Sequence, residues 1–543
     1  MENQDGLKMV EKMAQEAQGR FQSEIVAVLL DNELHDLQRD EVGNSQVDFV
    51  EVNSSDGWRV YQRSVLFLLI TAVSELYPGA EVVAQFSANK GLFCEVKQWG
   101  TEELDEASVR RIEQRMRDIV AENRRIRKVV MSREEAVRLC KESKQIEKAN
   151  LISSLGKERV SLYYCGKYYD YLYGPMLGWT GHLGKFALDV EPPGVLIRVP
   201  RWETGTEVPK RLPQPKFSNI LSESKRWAHI LNCKYVTDLN RANRQGHIGD
   251  VIRISEGLQE KRIAQIADHI ASERERLRLI LIAGPSSSGK TSFAQRLRIQ
   301  LLVNGLLPVS ISIDDYFKSH ADTPRNEKGE YDFESLEALR VDLFNQQMLE
   351  LLAGKAVTLP RYNFITGTSE WQDVPLSVRP DQPIIVEGLH GLNEKFSESV
   401  PHENKYKIYV SALTQLNIDA HNRIPTTDAR LLRRLVRDYQ FRGSHALKTL
   451  RQWPEVRAGE EKYIFPYQEQ ADVMFNTALI YELGILKKYA VPLLEMVPPE
   501  VTEHRKARQL LDFCQYFDDI GAEDEVPNNS LLREFIGKSV FFK

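Results

Sequence analysis

The 543-residue chain reads as an α/β protein, with a parallel sheet covered by helices in its C-terminal half and a mixed helix-and-strand region before it. Three observations predict this. Between residues 276 and 500, buried-strand runs (LRLILIAG, LPVSISI, PIIVEG, YKIYVSA) alternate with helical segments, the texture of strands covered on both faces. The first run leads directly into a Gly- and Ser-rich turn, which opens the helical pattern TSFAQRLRIQLL. Hydrophobic residues make up 42% and charged residues 27%, a globular balance that excludes a mostly disordered chain, a collagen-like chain and a coiled-coil rod. At roughly 150 residues per domain the length suggests about three to four domains.

Taken in order, residues 21–58 alternate short apolar runs with turns, and EIVAVLLDNELHDL predicts a hairpin turning at Asp31-Asn32. Residues 59–200 open with an apolar helix, Val60 to Leu76, ended by Tyr77-Pro78-Gly79. Strand-like pieces follow, then a charged helix from about Glu102 to Lys128. In that helix Val109, Ile112, Met116, Ile119 and Val120 fall on one face. Ser132 with Glu135 starts the next helix as a capping box. Residues 201–275 begin as a linker marked by Pro209, Pro213 and Pro215, and helices then lead toward Glu275. The tail, 501–543, is charged, with one helix predicted near Ser530–Phe535.

The sharpest motif is Gly284-Pro285-Ser286-Ser287-Ser288-Gly289-Lys290-Thr291, followed by Ser292, which fits GxxxxGK[ST]. Glycines and small serines let backbone N–H groups close around phosphates, and the helix N-terminus adds its positive dipole end. Lys290 would reach the β/γ-phosphates and Thr291 would hold Mg²⁺. Asp314, in SIDDYFK at the end of the next strand, is placed to accept a proton from a hydroxyl or to hold Mg²⁺ through water. An aspartate there also suits a turn or a helix N-cap. Glu387, ending PIIVE, is a second Mg²⁺ candidate or a solvent-facing strand end. Arg430, Arg433, Arg434 and Arg437 put guanidinium on two faces of a helix, which suits either a lid over phosphates or a solvated basic helix.

These features together resemble the uridine kinase and phosphoribulokinase family of P-loop kinases over residues 276–480. The segments that carry the likeness are AGPSSSGKTSFAQRL, SIDDYFK, Tyr331-Asp332-Phe333-Glu334, LLAGKAVTLPRYNF, PIIVEGLHGL and DARLLRRLVRDYQFRG. The resemblance implies an ATP- and Mg²⁺-dependent transfer of the γ-phosphoryl group to a hydroxyl of a nucleoside or sugar. It implies catalytic roles for Lys290, Asp314 and Arg437, with ATP on residues 284–292 and Mg²⁺ on Thr291, Glu387 and Asp314. Tyr316, Tyr331, Glu334, Tyr362, Arg430 and Arg433 fall on the acceptor side. The chain departs from the uridine kinase pattern there. Glu334 stands where the family has an aspartate, Asn363 and Gly367 replace Asp and His of P-x-Y-D-F-x-T-H, and Ser444 replaces an expected arginine.

Residues 21–195 are similar to the N-terminal region of threonyl-tRNA synthetase, its TGS module and editing domain. The carriers are VAVLLDNELHDL, VYQRSVLFLLITAVSELYPGAE, VMSREEAVRLCKES and Asp170-Tyr-Leu-Tyr-Gly174-Pro175-Met176. The implied fold class is a P-loop kinase domain with a parallel sheet (276–500), preceded by a TGS-like module (1–58) and an α+β editing-like domain (59–200). That family's HxxxH has become Arg63…Phe67 and its CxxxH has become Leu172…Met176, so the resemblance implies a fold without editing chemistry. A cleft could persist there for a ligand or an RNA end. The basic stretch Arg124–Lys128 is compatible with RNA or with a solvated helix end.

The net charge of −5 disfavours bulk nucleic-acid binding. The five cysteines are scattered and never in CxxC pairs, which suits a reducing compartment. No apolar run is long enough to span a membrane. The expectation is a cytoplasmic kinase for a small-molecule acceptor, with RNA contact or self-association left open. The competing reading is an RNA-binding regulatory P-loop ATPase.

Overall fold

The computed structural model describes residues 7–88, 90–98, 104–202, 205, 207–325, 329, 331–363 and 366–542. Its centre is a five-stranded parallel sheet. Across the sheet the strands run Val309–Ser312, Ile384–Glu387, Leu279–Ala283, Lys405–Ser411 and Val473–Asn476. Leu279–Ala283 is apolar throughout because both sheet faces are covered. Leu279 and Leu281 pack on one side with Phe344, Met348 and Phe396, whereas Ile280 and Ile282 pack on the other with Phe293, Leu297 and Ile266. That alternation is the two-residue period of a strand. It places the carboxyl ends of the central strands, and the loops leaving them, along one edge of the sheet.

The N-terminal region folds as short sheets around a long buried helix. Ile25–Leu30 pairs with Glu33–His35 through the left-handed turn Asp31-Asn32, as the hairpin pattern predicts. The long helix spans Ser55–Leu76 and starts one turn before the apolar run, because the Ser54 hydroxyl caps the Gly57 amide at 3.1 Å. The charged helix is shorter than expected. It ends at Ala121, and Ile126–Ser132 forms a strand paired with Arg159–Cys165. Left-handed Asn123 breaks the helix, so the Arg124–Lys128 stretch is a turn and strand rather than a helix end. Ser132 does cap the helix Arg133–Glu142, accepting from the Glu135 amide at 3.2 Å.

Two further findings revise the sequence reading. The tail is not simply a charged extension. It carries the amphipathic helix His504–Cys514, and Leu531, Leu532 and Phe535 are buried. One apolar cluster joins Met131–Leu162 to the helices of 228–252 and to residues 416–536. The N-terminal region also holds the segment 417–423 directly. The Ala84 amide donates to the Ala420 carbonyl at 2.8 Å, and the Asn422 amide group donates to the Tyr171 carbonyl at 3.0 Å. Buried Asp170 accepts from Lys148 and pairs with His421 at 2.5 Å. Among the described residues no helix is long and apolar enough to cross a membrane.

Phe293 is fully buried against Phe475, ring centroids 4.6 Å apart. Phe293→Ala should lower stability by about 3–5 kcal/mol through lost burial and the cavity it leaves. The check is the shift in denaturant midpoint.

Candidate active site

Strand Leu279–Ala283 ends at Gly284, where a Cβ would lie 1.9 Å from the Val410 carbonyl oxygen, so only glycine lets the chain turn against the neighbouring strand. The loop then reaches the helix Lys290–Val303 through left-handed Ser287 and Gly289. Alternating handedness of this kind curves successive N–H groups into an anion-binding concavity. The Lys290 ammonium folds back over the loop and donates to the carbonyls of Gly284 (2.8 Å) and Pro285 (3.2 Å). Burial lowers its pKa, and the carboxylates of Glu387 and Asp314 oppose that shift.

The loop is held from behind by the helix Thr426–Arg442. Arg430 donates to the Ser286 carbonyl at 3.0 Å and pairs with Glu460, and Glu460 in turn accepts from the Ser286 amide at 2.9 Å. Arg433 reaches the Ser287 carbonyl at 3.4 Å and the Thr477 carbonyl at 2.9 Å, and pairs with Glu482. Thr477 Oγ1 donates to the Ser288 carbonyl at 2.5 Å. Arg430 and Arg433 are 1% and 0% exposed, so the helix is neither a free lid nor a solvated basic face. These two arginines buttress the loop rather than meet an acceptor. The guanidinium on the loop's own hydroxyls is Arg434, which donates to Ser286 Oγ at 2.8 Å. Arg437 lies along Asp438, bonded at 2.8 and 3.0 Å.

The carboxylates stand at the ends of the two neighbouring strands. Asp314 lies in a 3₁₀ turn after Val309–Ser312, its amide donating to Ser312 Oγ at 3.3 Å and its side chain exposed. Partial loss of hydration raises its pKa, Lys290 offsets part of that, and Asp315 adds to it. Glu387 ends strand Ile384–Glu387, and its carboxyl is pushed up to about 7, by burial first and then by Asp314. Glu334 is also raised to about 7, by burial and by Glu460, with Arg434 and Lys290 opposing. Thr291, Asp314 and Glu387 supply a hydroxyl and two carboxylates, hard oxygen donors of the kind Mg²⁺ takes together with phosphates and water. Among the described residues no group of three or more His, Cys, Asp or Glu side chains forms a self-contained metal cluster.

Among the residues that the family resemblance assigns to the acceptor, Tyr331 stacks on His320 at 4.9 Å, and Phe333, Phe317 and Tyr362 continue an aromatic wall. Gly367 is left-handed, and a Cβ on it would fall 2.2 Å from the His320 ring. The histidine missing at 367 is thus replaced in space by His320, a residue the sequence reading passed over. Tyr362 is buried, and its amide donates to Asp315 at 3.4 Å. Tyr316 does not belong to this wall. It is 0% exposed in the core, and its hydroxyl donates to Gln347 at 2.8 Å.

The residues at the altered HxxxH and CxxxH positions are packed together. The Arg63 guanidinium lies across Gly174 and donates to the Pro175 carbonyl at 2.5 Å. Phe67, Leu172 and Met176 share one buried apolar cluster beside it. His182 sits at the surface, paired with Glu24. Nor is the basic stretch an open cationic strip. Arg124 pairs with Glu75 and Glu122, Arg125 with Glu11 and Lys128 with Asp36, and Arg127 lies over the Tyr164 ring.

The parallel sheet, the phosphate-type loop and the two strand-end carboxylates define an α/β P-loop protein. The Phosphoribulokinase / Uridine kinase family pattern matches residues 279–480. A uridine kinase of Staphylococcus aureus (strain JH9) is 30% identical over 197 residues, covering 36% of this chain and 86% of that protein. The chain belongs to this family. Its N-terminal region is similar to threonine–tRNA ligases. The one from Rubrobacter xylanophilus is 31% identical over 179 residues, 33% of this chain and 27% of the ligase, so the chain spans only about a quarter of that relative. A solved structure described as a possible uridine kinase from Bacillus stearothermophilus is 22% identical, covers 40% of this chain and 98% of that one, and has a TM-score of 0.27.

Sequence reasoning passed over Glu460 and Thr477 because no motif flags them, whereas Arg434 stood in the basic run and needed only its direction. The raised carboxyl at Glu387 has a stability consequence. A folded pKa of about 7 against an ordinary 4.5 means the folded state holds more protons in that window, so stability falls as pH rises through it. Glu387→Gln should therefore raise the melting temperature at pH 8, and the gain should shrink toward zero near pH 4. Melting curves at the two pH values check this.

Proposed function

We propose that the protein is an ATP- and Mg²⁺-dependent kinase that transfers the γ-phosphoryl group to a hydroxyl of a nucleoside-like or sugar-like acceptor. The observation that carries this is the gathering of Lys290, Asp314 and Glu387 at the carboxyl ends of adjacent strands, where Glu387 lies opposite both Ser312 and Ile282 and both carboxylates act on the Lys290 ammonium. A pure nucleotide switch has no need of an Asp314 beside an aromatic acceptor wall.

In this reading the loop amides and the Lys290 ammonium bind the β- and γ-phosphates, so Lys290 swings from the Gly284 carbonyl to the nucleotide. Thr291 and Glu387 would hold Mg²⁺, with Asp314 as a further oxygen; the cation would supply charge neutralisation of the phosphates. Asp314 orients the acceptor hydroxyl and takes its proton as the hydroxyl oxygen bonds to the γ-phosphorus and ADP leaves. Arg434, which already touches Ser286, would stabilise the transferring charge, with Arg437 one turn further along the same helix. Tyr331 and His320 offer a flat face for the acceptor, and Glu334, its carboxyl raised to about 7, is protonated often enough at pH 7 to donate to a hydroxyl as well as accept from one.

The test is a phosphoryl-transfer screen with γ-labelled ATP, Mg²⁺ and a panel of nucleosides, pentoses and pentose phosphates, with Lys290→Ala as blank. A labelled product absent from the blank is expected and would name the acceptor. No labelled product with any of them would overturn the reading and turn attention to nucleotide-dependent tRNA binding. With the acceptor in hand, Asp314→Asn should lower kcat by about 10²–10⁴-fold while the KM for ATP stays within about twofold. Steady-state kinetics check both values.

A further inference from the structure

The C-terminal tail lies on the P-loop, although it falls outside the family match, which ends at residue 480. Leu531 is fully buried in the cluster formed by Phe293 and Leu297, and its Cδ2 would lie 3.5 Å from a Cβ built on Gly289. One turn further, Glu534 Oε2 accepts from the Ser292 amide at 3.3 Å and from the Ser292 hydroxyl at 2.7 Å. Ser292 is the third residue of the helix Lys290–Val303, so its N–H is one of the orphan donors of the first turn. Those donors, with the helix dipole, are what a nucleotide's phosphates use.

Two carboxylates therefore sit on donors of this loop, and they differ in how they are held. Glu460, on the Ser286 amide, is locked by Arg430 and Arg457. Glu534 makes no direct ion pair among the described residues, acting on the Lys290 ammonium only from a distance, and its side chain is only part-buried. The backbone beneath it is fixed independently, by buried Leu532 and Phe535 and by the Ser530 hydroxyl bonded to Glu256. The carboxylate can swing away while the tail stays docked.

We propose that Glu534 is an internal competitor of the nucleotide: its carboxylate holds the Ser292 donors and must leave them before a phosphate group can bind. This rests on the kinase reading above and adds to it a device that sets nucleotide affinity from outside the family segment. A carboxylate and a phosphate oxygen satisfy the same donors, and like charges cannot share them. Removing the negative charge thus removes both the occupant and the repulsion.

The experiment measures ADP binding by titration calorimetry on the full chain, for the wild type, Glu534→Gln and Glu534→Ala. Lys290→Ala serves as the reference for a damaged loop. ADP binds without turnover, so no acceptor is needed. Both Glu534 variants should bind ADP about five- to tenfold more tightly than the wild type, the scale of a charge removed from a helix N-terminus. Equal or weaker binding in both variants would overturn the inference and leave the kinase reading standing. No ADP binding by any of the proteins would overturn both.

Discussion

Two buried arginines under a loop organise the C-terminal half of this protein. Arg430 and Arg433 are wholly enclosed, each matched to one carboxylate and to a P-loop carbonyl. Guanidinium suits this position because its planar fork can serve several oxygens at once and it stays charged when buried. A buried ion pair of this kind adds little net stability against an apolar replacement, but loss of one partner strands a charge. The gain is geometric: the carbonyls of Ser286 and Ser287 are held from behind, which fixes the course of the loop.

The helix that supplies these arginines follows the segment 417–423, which the N-terminal region grips through Ala84, Asp170, Tyr171 and Tyr173. A continuous set of contacts thus runs from the synthetase-like region to the back of the P-loop. This gives the N-terminal region a physical relation to the site. Arg63 and three apolar side chains fill the space where HxxxH and CxxxH would have met, and the cations of the neighbouring basic stretch are paired or stacked.

Much of this was legible in the sequence where a single local rule acts. The all-apolar strand before Gly284, the Gly-Ser loop and the helix after it each follow from one short segment, as does the hairpin at Asp31-Asn32. What stayed hidden depends on partners far along the chain. The basic run 430–437 looks solvated until Glu460 and Glu482 are brought 30 and 49 residues back to it. Tyr316 looks like a site residue because it adjoins Asp314, yet Gln347 claims its hydroxyl. Gly367 looks like a lost histidine, and only the folded chain brings His320 into that space. The tail's charge conceals the buried face formed by Leu531, Leu532 and Phe535.

The claim that the arginines hold the loop in its phosphate-ready form can be tested most directly by amide hydrogen exchange on Arg433→Met and wild-type protein without nucleotide. The account predicts faster exchange across residues 284–292 in the variant, with the buried strand Leu279–Ala283 still protected. Unchanged protection of 284–292 would contradict it and show that the loop keeps its shape without the guanidinium behind it.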